Sequence, residues 1–268
     1  MCRMVAYLGE AETYLSPLIL EPEHSLLVQS YAPREMMSGV VNADGFGVGW
    51  YVPEVDWEPA VYRSNAPIWA DRSFASLAPK VRSAAVLAAV RSATPGLPAE
   101  ESGVPPFSSG PYLFAHNGAI PGFRSTAMRT LRAPLSDVSY SGLLGVTDSE
   151  TIFALLLDRL REREAQPGDA DALAAAVAET LRYVSDICAE LGVPATLNVG
   201  VTDGRAMVFS RYSSEGPANS LYFAEGGKNF PNAVVIASER LDGNPDWRRV
   251  PARSLLVANR KRTVARQM

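Results

Sequence analysis

Two helical patterns follow one another past the middle of the chain, with blocks of short strand-like segments on either side, and this order constrains the fold more than any other feature. The first pattern follows Ser149, a residue able to cap a helix, and sets Ile152, Phe153, Leu156, Leu157 and Leu160 on one face. The second starts at Asp169 or Asp171, carries Leu173, Val177, Leu181, Val184, Cys188 and Leu191, and ends at Gly192 and Pro194. Residues 4–8, 45–52, 86–90 and 112–115 precede the pair, and 196–201, 205–210, 221–224, 234–237 and 255–258 follow it, all of strand length. Asp203-Gly204 marks a hairpin between two of these. A further helix opens at Ser16-Pro17 and is interrupted by Pro22. Strands and helices do not alternate regularly, and no repeat is present. The expectation is therefore an α+β layered fold, two sheets with helices packed on them, forming a single domain over residues 1–268. The stretches 53–59, 95–111 and 131–147, rich in Pro, Gly and Ser, are expected to be irregular, and long loops in a compact domain are often functional.

The composition removes several functions. With 268 residues, 47% of them hydrophobic, the chain can bury a substantial core. Its net charge of −4 opposes nucleic-acid and anionic-membrane partners, which need a clustered excess of Lys and Arg. The one basic run, Arg260-Lys261-Arg262, reads as a solvated tail. The longest apolar runs, such as 84–90, are far short of the roughly 20 residues of a membrane span. No export signal follows Arg3, because Gly9, Glu10 and Glu12 interrupt at once. Two cysteines far apart, Cys2 and Cys188, exclude a disulfide framework and a thiolate zinc site, and His24 and His116 cannot make a three-histidine metal site. A cytoplasmic protein without metal or organic cofactor is expected, and a homo-oligomer is left open.

Cys2 carries the sharpest chemistry. Met1 precedes a small residue and is a target for methionine aminopeptidase, whose action would make Cys2 the N-terminus. A thiol of pKa about 8.5 would then sit beside its own α-amine of pKa about 7.7–8.0, so that base and nucleophile occupy one residue. Read alone, Cys2 is equally a cysteine that happens to follow the initiator. Attack on an amide creates an oxyanion, for which the Asn117 side-chain amide and the Gly118 backbone N–H are suitable donors; read alone, Asn-Gly is a turn. Arg91, where a buried strand stops, can clamp a carboxylate or make a salt bridge at the sheet edge. Asp148 can meet an ammonium, or Asp148 and Ser149 can serve as helix caps. Together these residues describe a receptor for a γ-glutamyl group, with Arg91 at the α-carboxylate, Asp148 at the α-ammonium and Cys2 at the side-chain carbonyl. In residues 45–52 glycine alternates with large side chains, which signals either close approach by a ligand or another backbone, or tight sheet packing.

The segments Met1-Cys2-Arg3, Asn42-Ala43-Asp44-Gly45-Phe46-Gly47, 91–96, His116-Asn117-Gly118 and Asp148-Ser149-Glu150, in this order, resemble the glutaminase domain of class II glutamine amidotransferases. The resemblance spans nearly the whole chain and implies the four-layer αββα sandwich of N-terminal-nucleophile hydrolases. It also implies the roles above for Cys2, Arg91, Asn117, Gly118 and Asp148, adds Thr94 at the carboxylate end, and leaves His116 structural. A narrower likeness, carried by residues 21–26, 31–35 and 42–50, is to the stand-alone amidohydrolases of ergothioneine biosynthesis, which remove glutamate from γ-glutamyl-hercynylcysteine sulfoxide. Those enzymes often begin Met-Cys-Arg-His, whereas Met4 stands here. The remaining length leaves no room for an ammonia-consuming synthetase domain. A small-molecule γ-glutamyl substrate is therefore expected. The alternatives are a glutamine-hydrolysing subunit that supplies ammonia to a separate synthase, and a binding domain without activity. A hercynine-containing substrate would bring a quaternary ammonium, which aromatic faces attract by roughly 0.5–2 kcal/mol, and Trp50, Trp57, Trp69 and Trp247 could house it or serve only in packing.

Overall fold

The first strand sets the layering. In the computed structural model, which describes residues 2–37, 39–93 and 100–268, β1 (Arg3–Tyr14) is apolar on both faces where it begins. Met4, Ala6 and Leu8 point one way and Val5 and Tyr7 the other, and none is more than 2% exposed. A strand buried on both sides must be central. It lies in a seven-stranded sheet of order β11 (Arg248–Arg249), β9 (Tyr222–Glu225), β10 (Ala233–Ala237), β1, β4 (Arg82–Val90), β2 (Phe46–Trp50) and β3 (Ala60–Ser64). The second sheet has six strands, ordered β13 (Arg262–Gln267), β12 (Ser254–Asn259), β8 (Ala206–Arg211), β7 (Thr196–Thr202), β6 (Tyr112–Ala119) and β5 (Phe107–Ser109). Neighbouring strands pair antiparallel throughout both sheets.

Three apolar clusters make four layers. Val5, Tyr7, Phe46, Val86 and Val90 meet α1 (Leu15–Ile19), α2 (Leu26–Tyr31) and α3 (Arg72–Leu77) on the outer face of the first sheet. Met4, Ala6, Leu8 and Leu87 meet Leu113, Ala115, Met207 and Phe209 between the sheets. Phe114, Val199, Val208 and Val257 are covered by α6 (Asp148–Glu162) and α7 (Ala170–Glu190), with α4 (Met128–Arg132) and α5 (Asp137–Ser141) beside them. Each fully buried Leu, Val or Phe contributes about 1.5–3 kcal/mol, so the alternation along β1 and β6 fixes the sandwich register as well as its stability. The arrangement is the αββα sandwich. No helix among the described residues is long and apolar enough to cross a membrane.

Several sequence expectations change. His116-Asn117-Gly118 is not a turn: β6 pairs on through Ala119, with Asn117 opposite Asn198 and Gly118 opposite Leu197. Tertiary pairing overrides the turn preference of Asn-Gly because the Asn117 side chain, fully buried, finds partners inside the sandwich. The glycines of β2 mark close packing between layers. A Cβ on Gly47 would press on the Pro105 carbonyl oxygen, and one on Gly49 on the Leu113 side chain. The stretch 131–147 is partly helical, holding the end of α4 and all of α5. Arg260-Lys261-Arg262 is exposed, as expected, but forms the turn from β12 into β13 and not a tail. The hairpin at Asp203-Gly204 and the break near Pro22 are as read, with Gly204 at φ +82° in its turn.

Candidate active site

Antiparallel register brings the chain's beginning to Arg91. Arg3 pairs with Val90, so Cys2, one residue before β1, falls opposite Arg91, one residue after β4. The Cys2 Sγ lies 3.9 Å from the Ser92 carbonyl oxygen, and the residue is partly exposed. It opens into a cleft that is lined, among the described residues, by Arg91, Ser92, Ala93, Gly103, Pro105, Phe107, His116, Gly118, Thr147, Asp148 and Ser149. Four residues singled out in the sequence, Cys2, Arg91, Gly118 and Asp148, thus share one cavity. Asn117 lies between the sheets behind it, and its Nδ2 donates to Ser238 Oγ at 3.4 Å. Ser238 Oγ also accepts the Met4 N–H at 3.0 Å, which places the amide beside the start of β1. Thr94 lies outside the described residues.

Arg91 is 4% exposed, and its guanidinium packs over Gly103, where a Cβ would come within 2.7 Å of Nη2. Nη1 donates to the Glu100 carbonyl oxygen at 3.3 Å. Asp44 and Gly45 hold the backbone around Arg91 in place. Asp44 N donates to Arg91 O at 3.1 Å, Arg91 N to Gly45 O at 2.8 Å, and Ala93 N to Asp44 Oδ2 at 2.7 Å. Gly45, at φ +115°, makes the bend into β2 that few other residues could adopt.

The cap of α6 is Thr147, not Ser149 or Asp148; its hydroxyl accepts the Glu150 N–H at 3.1 Å. Asp148 is left to face the cleft, and its Oδ2 accepts the Ile120 N–H at 2.9 Å, tying the helix start to the end of β6. A carboxylate here is favoured by the helix dipole. His116 donates from Nε2 to the Thr196 carbonyl at 2.9 Å, a partner that can only accept, so Nδ1 is the nitrogen 3.0 Å from the Ser149 hydroxyl. Gly118 tolerates no side chain, because a Cβ would overlap the Thr196 carbonyl oxygen and the His116 ring.

Sequence reasoning missed the group that holds the chain at Cys2. Glu239, 1% exposed, accepts from Arg3 Nε at 2.7 Å, His24 Nε2 at 2.7 Å, Arg34 N at 2.8 Å and Glu35 N at 3.1 Å. Burial pushes its carboxyl pKa up, but the hydrogen bonds from His24 and Arg34 N and the Arg3 charge outweigh this and hold it at about 2. Arg3 Nη1 in turn donates to the Cys2 carbonyl at 3.0 Å. No sequence spacing signals a contact between residues 3 and 239. Met4, the departure at position 4, is 1% exposed and packs in the inter-sheet core, away from the cleft lining. None of the four tryptophans is among the described lining residues. Trp57 lies under the Arg205 guanidinium, Trp69 is edge-on to Tyr31, and Trp247 donates to Asp242. Cys188 is buried on the core face of α7, and desolvation together with the Asp148 charge pushes its thiol up to about 11.

The family profile described as glutamine amidotransferases class-II matches residues 20–216. The chain belongs to the class II glutamine amidotransferases. Two relatives of this class II amidotransferase align along nearly their whole length. The gamma-glutamyl-hercynylcysteine sulfoxide hydrolase of Mycolicibacterium smegmatis is 38% identical, over 96% of this chain and 95% of its own. The protein of the same name from Mycobacterium tuberculosis is 36% identical over 97% and 94%. A solved structure, a glutamine aminotransferase class-II domain protein from Silicibacter pomeroyi, superimposes with a TM-score of 0.70 over 99% of both chains at 24% identity, which shows the fold. The class II amidotransferase fold is thus the four-layer N-terminal-nucleophile sandwich that the motifs implied.

Proposed function

We propose that this class II amidotransferase hydrolyses γ-glutamyl amides, with γ-glutamyl-hercynylcysteine sulfoxide as substrate and glutamate and hercynylcysteine sulfoxide as products. The observation that carries the reading is the convergence of Cys2, Arg91, Gly118 and Asp148, distant in sequence, on one cleft. The two near-full-length relatives support the substrate.

Removal of Met1 frees the Cys2 α-amine, which takes the thiol proton as Sγ attacks the γ-carbonyl carbon. The carbonyl oxygen becomes an oxyanion, met by Asn117 Nδ2 and the Gly118 N–H, each such donor contributing about 2.7–4 kcal/mol. Collapse expels the amine, which takes its proton from the Cys2 α-ammonium formed in the first step, and leaves a glutamyl thioester on Cys2. Water, deprotonated by the same α-amine, then attacks the thioester, and glutamate departs with regeneration of the thiol. Arg91, with Thr94, holds the substrate α-carboxylate, and Asp148 holds the α-ammonium. A reducing cytoplasm keeps Cys2 a thiol. The test is glutamate release by the purified chain alone, from γ-glutamyl-hercynylcysteine sulfoxide and from glutamine. Turnover of the first, faster than the second and with no added protein, is expected. Preference for glutamine with strict dependence on a synthase would assign the chain as an ammonia-supplying subunit.

A further inference from the structure

A carboxamide is nearly symmetric in shape, so Asn117, behind the cleft, could point either its NH2 or its oxygen toward Ser238 and the start of β1 at little steric cost. The two orientations are opposites chemically, since an oxygen turned to an oxyanion would repel what the NH2 stabilises. Some neighbour has to choose. Ser238 cannot, because its hydroxyl accepts from Nδ2 as it stands and could rotate to donate to an oxygen in the same place.

Asn219 can choose. Its Nδ2 lies 2.9 Å from the Asn117 main-chain carbonyl oxygen, which can only accept, so nitrogen is the Asn219 atom on that side. The same Nδ2 lies 3.3 Å from Asn117 Oδ1, and a donor there requires an acceptor opposite. Asn219 is itself fixed: its main-chain oxygen accepts from Asn198 Nδ2 at 3.1 Å and Arg211 Nε at 2.9 Å, and Asn198 Oδ1 accepts from Tyr212 N at 3.1 Å. Asn219 is 2% exposed and Asn198 fully buried, so water does not compete for these bonds.

We infer that Asn219 is a positioning residue that sets the polarity of the Asn117 carboxamide, keeping Oδ1 to itself so that Nδ2 faces the oxyanion. The inference rests on the oxyanion role proposed above for Asn117. Asn219→Asp keeps the shape and removes the donor to Oδ1. It should lower kcat about 10²–10³-fold, as loss of an oxyanion donor does, with KM within about twofold. The decisive measurement is a double-mutant cycle in kcat. In an Asn117→Ala background the Asn219→Asp change should cost nothing further, because its effect runs through an amide already absent. Additive losses, or an Asn219→Asp enzyme with full kcat, would overturn the inference. Should Asn117→Ala alone leave kcat intact, the oxyanion role itself fails, which is a separate outcome. If Asn219→Asp does not fold, Asn219→Ala carries the same cycle: its single loss should be about tenfold, since an unlocked amide samples both orientations, and should vanish in the Asn117→Ala background.

Discussion

The two sheets bring chemistry to the cleft by different means. On the first, Cys2 sits at the free end of β1 and is held by charge, through Arg3 clasped by the buried Glu239 together with His24. On the second, Asn117 and Gly118 lie inside β6 and are held by neutral amides and strand pairing. A residue just before a strand lacks the ladder that fixes a mid-strand residue, and the nearby ion pairs supply what the ladder does not. The Cys2 side should therefore respond to charge and pH, and the Asn117 side to shape and hydrogen-bond polarity.

The largest effect expected falls on the charged side at its reactive end. Cys2→Ala should lower hydrolysis by a factor on the order of 10⁴ or more while the melting temperature moves little, because the site is an edge and not a core. Residual thioester chemistry in that variant would place the nucleophile elsewhere. Next is Glu239→Gln, which leaves the Arg3 guanidinium buried beside a neutral amide and should cost about 3–5 kcal/mol in chemical denaturation. A loss under about 1 kcal/mol would break the claim that charge anchors this side.

The Asn117 side should answer differently. Asn117→Ala should cost about 2.7–4 kcal/mol in kcat with KM little changed, and about 1–3 kcal/mol in stability because the buried Ser238 and Asn219 lose their partner, read from steady-state kinetics beside a melting curve. The contrast sharpens with pH. The Glu239 pKa is depressed from 4.5 to about 2 in the folded protein, so its contribution to stability is complete above about pH 4.5 and is lost as pH falls through about 2. The stability advantage of wild type over Glu239→Gln should accordingly shrink between pH 5 and pH 2.5. An advantage constant across that range would contradict the anchoring role. The smallest effect belongs to Trp57→Ala, remote from the described lining, which should cost under about 1 kcal/mol through its Arg205 contact and leave KM unchanged.

Much of this layout can be read from local pattern. The apolar stripes of α6 and α7, the alternation in β1 and the Asp203-Gly204 turn depend on nearest neighbours, and sequence displays these directly. Arg91 at the end of a buried strand is legible for the same reason. Asn117-Gly118 misled because its turn preference is local, whereas the interior partners that keep it in a strand, Asn219 and Ser238, are 102 and 121 residues away. Glu239 was invisible for the same reason, since nothing along the chain marks a carboxylate as the future partner of Arg3. The tryptophans have the side-chain chemistry to meet a quaternary ammonium, but Arg205, Tyr31 and Asp242 engage Trp57, Trp69 and Trp247 away from the described lining.

The most direct measurement treats the protein with a glutamine-like diazoketone and maps the label by peptide mass. The account predicts a single modified peptide that begins at Cys2, with Met1 absent, and protection by γ-glutamyl substrate. Label on Cys188 or another residue, no label in a protein that turns over substrate, or a labelled peptide that retains Met1 would contradict it.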